Sequence, residues 1–253
     1  MKRSLYNLTD EPFAMFVNRI GRVLRDEGIE YNIVGGVAVQ AYILESITEG
    51  TNVMNFLENP SVRIQDYFRN TDDVDVSLNF NLDDNEKMRR IKEILPQLEF
   101  EDFSPTESSI VGIKIERIGV SKPKFRFSVY GDNENYEEIV SMNISRNQRG
   151  DLHKLDGSLY EEFLKRHRRI SIPYTKDFEL EINVPSLEHL LSSKIALSRA
   201  KDVMDIRNLA KIAKDSGRQL NFDEMDKILL PYHEDNYSKF LEWEYPFEFR
   251  RVL

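Results

Sequence analysis

Thr71-Asp72-Asp73-Val74-Asp75-Val76-Ser77-Leu78, followed by Asn79 and Phe80, alternates polar and apolar residues from Asp73 onward. That period of two predicts a strand over residues 73–80. Successive strand side chains point to opposite faces, so Val74, Val76, Leu78 and Phe80 share the face expected to meet a core. Asp73 and Asp75 share the other face, with Cα atoms about 6–7 Å apart. Two carboxylates held that close repel each other unless a cation lies between them. Mg²⁺ takes oxygen ligands, commonly one or two carboxylates together with substrate phosphates. The pair therefore suits metal-assisted phosphoryl or nucleotidyl transfer. Asp-x-Asp is equally the pattern of a solvated strand edge. An EF-hand is excluded, because the glycine of that loop is absent and the alternation is that of a strand.

Upstream, Tyr31-Asn32-Ile33-Val34 reads as a short buried strand that stops at Gly35-Gly36, and residues 37–45 read as a helix. Glycine there permits positive φ and close approach to the backbone. Amides at a helix start attract phosphate, although a plain tight turn uses the same pair. Before this strand, Thr9 or Asp10 can cap a first helix with Pro12 in its opening turn and Gly28 past its end. Its apolar stripe is Phe13, Phe16, Val17, Ile20, Val23 and Leu24. Residues 46–70 read as a loop or insertion.

Downstream, a charged helix is expected over 85–95, then strands over 110–118, 124–130 and 138–145. A second charged helix over 159–169 and a strand over 178–184 follow. From Ser186, a natural N-cap, the pattern is helical with no glycine before Gly217. This gives an α+β fold, a mixed β-sheet flanked by helices with a C-terminal helical region. Residues 1–184 form the core, with 46–70 inserted, and 185–253 form the helical region. If one helix ran from Ser186 past Asp205, Lys194, Ser198, Lys201 and Asp205 would lie within about 60° of one another. A lysine there can reach a triphosphate; a salt-bridged helix face has the same pattern.

Gly35-Gly36, Arg69-x-Thr71-x-Asp73-Val74-Asp75, Lys194-Ile195 and Lys201-Asp202-x-x-Asp205 together resemble the AbiEii-type branch of the DNA polymerase β-like nucleotidyltransferase superfamily. Many members of that branch are toxins of bacterial toxin–antitoxin systems. The resemblance spans about residues 31–209 and implies the nucleotidyltransferase fold. It implies that Gly35 and Gly36 contact nucleotide phosphates and that Asp73 and Asp75 hold divalent metal, Mg²⁺ or Mn²⁺. It implies that Lys194 binds the triphosphate of an NTP, with Asp202 or Asp205 completing the motif. Thr71 is placed among the nucleotide-binding residues, and Arg69 flanks it. Asp73, Asp75 and Lys194 would form the catalytic set.

Two features depart from the family's pattern. Gly36 and Asp73 are 37 positions apart, which is longer than expected and puts the insertion near the site. The third carboxylate usually comes from a later strand, and the candidate strand Val140-Ser141-Met142-Asn143-Ile144-Ser145-Arg146 offers Asn143 instead. Asparagine can coordinate metal through its carbonyl but cannot act as a base. Glu116 is the other candidate.

The net charge of −9 argues against general duplex DNA binding, where Lys and Arg must neutralise phosphates. Without cysteine there is neither a disulfide framework nor a thiolate metal site, as expected of a cytoplasmic protein. The opening Met1-Lys2-Arg3-Ser4-Leu5-Tyr6 leads into Asp10-Glu11 rather than a signal-like apolar run. No apolar stretch approaches the roughly 20 residues that span a bilayer, so no membrane partner is expected. The expected partners are an NTP, an acceptor hydroxyl on RNA, protein or a small molecule, and a cognate antitoxin. A catalytically impaired nucleotide-binding or partner-interaction module is the alternative. Lys165-Arg166-His167-Arg168-Arg169 reads as a solvated helix end or as a patch steering a phosphate-bearing acceptor. His153, His167, His189 and His233 have no metal-ligand spacing. Trp243, among C-terminal aromatics, reads as an anchor onto the core or an oligomer contact.

Overall fold

Residues 7–59, 67, 69–71, 73–78, 89, 93, 110–118, 124–131, 138–146, 166–217 and 220–242 are described by the computed structural model. Helix α1 (Glu11–Asp26) starts from Asp10, carries a proline in its first turn, and buries the stripe from Phe13 to Leu24. Gly28 follows at φ +66°, a left-handed value that favours glycine. Strand β1 (Tyr31–Val34) runs directly into α2 (Gly35–Ile47), so the helix begins at the first of the two glycines. Val37 to Leu44 are all buried, including Gln40. A helix apolar on every side belongs at the centre of a protein rather than on its surface.

The region expected to be a loop departs from that expectation at its start. Helix α2 continues to Ile47, and Asn52 caps α3 (Val53–Leu57) by accepting a 2.8 Å hydrogen bond from the Asn55 amide. The next strands are β2 (Asp73–Leu78), β3 (Ile110–Ile118), β4 (Lys124–Gly131) and β5 (Glu138–Arg146). Their sheet order is β1-β2-β5-β4-β3, with β2 and β5 parallel and the remaining pairs antiparallel. The sheet is therefore mixed, as the α+β expectation required. Val74 and Val76 are buried, which fixes the core side of β2.

Strands β6 (His167–Pro173) and β7 (Glu179–Pro185) form a separate antiparallel pair, with Ile170 opposite Ile182. The helix expected over 159–169 is thus overturned at its end, where residues 167–169 are strand; its earlier part lies outside the described residues. Buried Ile170 and Ile172 alternate with exposed Ser171 and Pro173, a period of two that the preceding charges obscure. After β7 come α4 (Leu187–Leu197), α5 (Asp202–Asp215) and α6 (Phe222–Leu241), the last interrupted at His233, two residues after Pro231. Buried residues on both sides of Pro185, among them Ile33, Val37, Leu180, Ile182, Leu190 and Leu209, belong to one cluster.

The expected single helix through Asp205 is broken instead. Ser198 takes left-handed φ +44° and ψ +35° and ends α4, and α5 starts afresh at Asp202. Of the helix expected over 85–95, Arg89 and Glu93 are helical and paired at 2.9 Å; the rest of it, like Trp243, lies outside the described residues.

Candidate functional site

Pairing of β1 with β2 sets Val34 opposite Asp75, so the chain turns into α2 beside that aspartate. Gly35 makes the turn at φ +70°. A Cβ on Gly35 would lie 2.6 Å from Asp75 Oδ2. On Gly36 it would lie 2.9 Å from Arg69 Nη2 and 3.4 Å from Thr71 Oγ1. The two glycines thus supply a turn and also the room into which Asp75, Arg69 and Thr71 close. Gln40 fixes this approach from inside α2, donating from Nε2 to the Arg69 carbonyl at 2.7 Å. Thr71 is buried, and its β-bridge precedes β2.

Behind this junction lies an ionic chain. Lys194 Nζ donates to Asp205 Oδ2 at 2.7 Å and to Asp202 Oδ1 at 3.4 Å. Arg69 reaches the same Asp205 from the β2 side, with Nε and Nη2 at 3.4 and 3.3 Å. Arg199 grips Asp202 with Nε at 2.6 Å and Nη2 at 3.0 Å. Lys194, Asp202 and Asp205 are all buried, and buried charges persist only when paired and hydrogen-bonded. Burial would raise the Asp202 carboxyl, but the Arg199 hydrogen bond and the Lys194 charge outweigh it and hold the carboxyl below its ordinary value. Arg199 is raised, chiefly by its hydrogen bond to Asp202, with the charges of Asp202, Asp75 and Asp205 adding to it. Of the four residues expected on one helix face, only Lys194 and Asp205 meet; the break at Ser198 leaves Ser198 and Lys201 exposed.

Across the sheet, parallel pairing sets Asp73 opposite Ser141 and Asp75 opposite Asn143. Asn143 is in turn opposite Arg126 on β4, and Arg126 opposite Glu116 on β3. Glu116 is therefore three strands from Asp75, about 14 Å at the backbone, and Asn143 holds the adjacent position. Glu116 is excluded as the neighbouring third carboxylate. Asp73, Asp75 and Asn143 offer only oxygen donors at adjacent backbone positions, a set suited to Mg²⁺ or Mn²⁺. Among the described residues no group of three or more His, Cys, Asp and Glu could hold a metal.

Solved structures of similar shape exist at low sequence identity. An antigenic nucleotidyltransferase-like protein from Paracoccidioides brasiliensis is 15% identical, with 94% of this chain and 95% of that one covered and a TM-score of 0.46. JHP933 from Helicobacter pylori is 13% identical over 99% of this chain and 84% of its own, with a TM-score of 0.44. The antibiotic-resistance factor ANT(2'')-Ia is 9% identical over 93% and 96%, with a TM-score of 0.43. No protein-family model matches the sequence, and no curated protein matches it.

Sequence reasoning left Arg199 without a role, because its contact with Asp202 depends on the break at Ser198. The basic run beside β6 is largely offset by acids. Arg166 pairs with Glu224, Arg168 with Glu45 at 2.7 Å, and Arg169 with Glu181 at 2.6 Å. Among the described residues no helix is long and apolar enough to cross a membrane.

Proposed function

We propose that this chain is a metal-dependent nucleotidyltransferase, moving a nucleoside monophosphate from an NTP to an acceptor hydroxyl. The observation that carries the proposal is the placement of Asp75 against Gly35 at the start of α2. A helix start attracts phosphate, and a carboxylate beside it holds the cation that accompanies phosphate. In this reading the phosphates lie over Gly35 and Gly36, with Thr71 flanking them, while Asp73, Asp75 and Asn143 hold Mg²⁺ or Mn²⁺. The metal, when bound, would neutralise charge developing on the attacking and leaving oxygens. The acceptor oxygen forms the new bond to the α-phosphorus, pyrophosphate leaves with the old bond's electrons, and the hydroxyl proton passes to a carboxylate or to solvent. Lys194, Asp202 and Asp205 supply the charged wall behind the phosphates.

The motif resemblance extends the proposal to a toxin of a toxin–antitoxin pair, acting on RNA, protein or a small molecule in the cytoplasm. Asn143 beside Asp75 favours a second reading, a module of the same fold that binds nucleotide or a partner without transfer. Calorimetry with the four NTPs, with and without Mg²⁺, tests the first requirement; negligible heat throughout removes both nucleotide readings. Incubation with α-³²P-NTP and cellular RNA or protein then separates them. Label on an acceptor supports transfer, and binding without label supports the module.

A further inference from the structure

Asp202 holds two cations that differ sharply in access to solvent. The Lys194 side chain is 3% exposed and lies between Asp202 and Asp205, whereas that of Arg199 is 47% exposed. To meet a ligand, Lys194 would have to leave two buried carboxylates. Arg199 would not need to move from its partner. Its contacts with Asp202 use Nε and Nη2, and a guanidinium has five N–H donors in a fixed fork. Among the described residues Nη1 has no partner, so that edge remains for another acceptor while the buried carboxylate fixes the plane. Asp202 is joined through Lys194 to Asp205, and Asp205 to Arg69, whose Nη2 lies 2.9 Å from the Cβ position of Gly36, so ion pairs connect Arg199 to the Gly35–Gly36 junction.

The backbone sets the direction of Arg199. Ser198, the one non-glycine residue with positive φ among the described residues, ends α4 in a left-handed turn and immediately precedes Arg199. The Arg199 amide donates to Asp202 Oδ2 at 3.3 Å, and the Ser198 amide to the Lys194 carbonyl at 2.9 Å.

We infer that Arg199 supplies a cationic side chain to the phosphates that lie over Gly35 and Gly36, and that Lys194 is a positioning residue holding Asp202 and Asp205 in place behind it. This assignment rests on the nucleotide reading above. An arginine held by a buried carboxylate suits phosphate, because the fork recognises two oxygens at once and little freedom is left to lose on binding.

The test is calorimetry of the full chain with Mg²⁺-ATP, Mg²⁺-ADP, AMP and adenosine, alongside thermal melts. Wild type, Arg199→Ala, Arg199→Lys and the nearby exposed Lys201→Ala are compared. Arg199→Ala is expected to weaken Mg²⁺-ATP at least tenfold, with the loss shrinking through ADP and AMP and vanishing for adenosine. Arg199→Lys should recover only part of the affinity, and Lys201→Ala should bind as wild type. If Arg199→Ala fails to fold, Arg199→Lys still decides, because lysine can pair with Asp202 but lacks the second edge of the fork. Wild-type affinity for ATP in both Arg199 variants, or equal losses for ATP and adenosine, overturns the assignment alone. Wild type that binds none of the four ligands overturns the nucleotide reading and the assignment with it.

Discussion

The Asp75 carboxylate stands 2.6 Å from the point a Cβ on Gly35 would occupy, and Gly35 itself holds φ at +70°. Gly35→Ala therefore meets two penalties, left-handed strain of about 1–2 kcal/mol and overpacking of about 1–3 kcal/mol. Gly28 has a similar φ of +66° with nothing within 4 Å of its added Cβ, so Gly28→Ala carries the strain alone. Urea unfolding should show Gly35→Ala as the more destabilised by about 1 kcal/mol or more. Equal costs would mean that Asp75 moves aside freely. Mg²⁺-ATP binding should survive Gly28→Ala and be lost in Gly35→Ala.

Lys194→Met removes a buried cation from between two buried carboxylates. Breaking a buried pair from one side commonly costs about 3–5 kcal/mol. Arg69 and Arg199 still hold Asp205 and Asp202, so the loss should sit at the lower end, about 3 kcal/mol. Lys211 and Asp215 are paired on the surface of α5, and Lys211→Met should change stability by less than about 1 kcal/mol. Denaturant titration of both variants checks the contrast.

The alternation at 73–80 exposed β2 directly, because one face of that strand is buried and the other carries charge. Gly35-Gly36 was equally legible, although the sequence offered only a turn or a phosphate site as its reason. The clearance needed by Asp75, Arg69 and Thr71 comes from pairing β1 with β2, a long-range contact that no local pattern encodes. Ser198 hid the break between α4 and α5, since left-handed helix ends favour glycine and serine carries no such signal. That single residue separates Lys201 from Lys194 and delivers Arg199 to Asp202. In β6 the charges of 165–169 suggested a helix face, while only Ile170 and Ile172 carried the strand's period. The position of Asn143 beside Asp75 required the sheet order itself.

Burial pushes His189 down to about 4, with Glu188 opposing the shift and Arg166 adding to it. Its Nε2 is 3.9 Å from Glu224, too long for a hydrogen bond, and the neutral ring forms no ion pair there. The folded pKa lies below the unfolded value near 6.5, so the unfolded chain binds the extra proton between them. This contribution to stability is intact above about pH 6.5 and is lost as pH falls towards 4, by up to about 3 kcal/mol. His189→Gln should flatten that part of the stability–pH curve. Parallel curves for wild type and variant would assign the acid sensitivity to other groups.

Asn143→Asp puts a carboxylate at the β5 position paired with Asp75, one strand spacing away, about 4.8 Å. Without metal the added like charge should lower stability by about 1–2 kcal/mol, with the loss largest at neutral pH and fading as the carboxylates protonate. Mg²⁺ or Mn²⁺ at 100 times its Kd should return about 2.7 kcal/mol, since only the folded protein presents the site. The variant's melting temperature should therefore fall below wild type in chelator and rise more steeply with metal. Asn143→Ala separates charge from shape, because it should not gain metal sensitivity. If nucleotidyl transfer limits the wild type through its missing third carboxylate, α-³²P labelling should rise by about tenfold or more with Asn143→Asp, equivalent to about 1.4 kcal/mol in the barrier. Chelator and metal curves identical to wild type would show that the β5 position does not share a cation with Asp75, and the metal ligands would then have to come from β2 and the nucleotide.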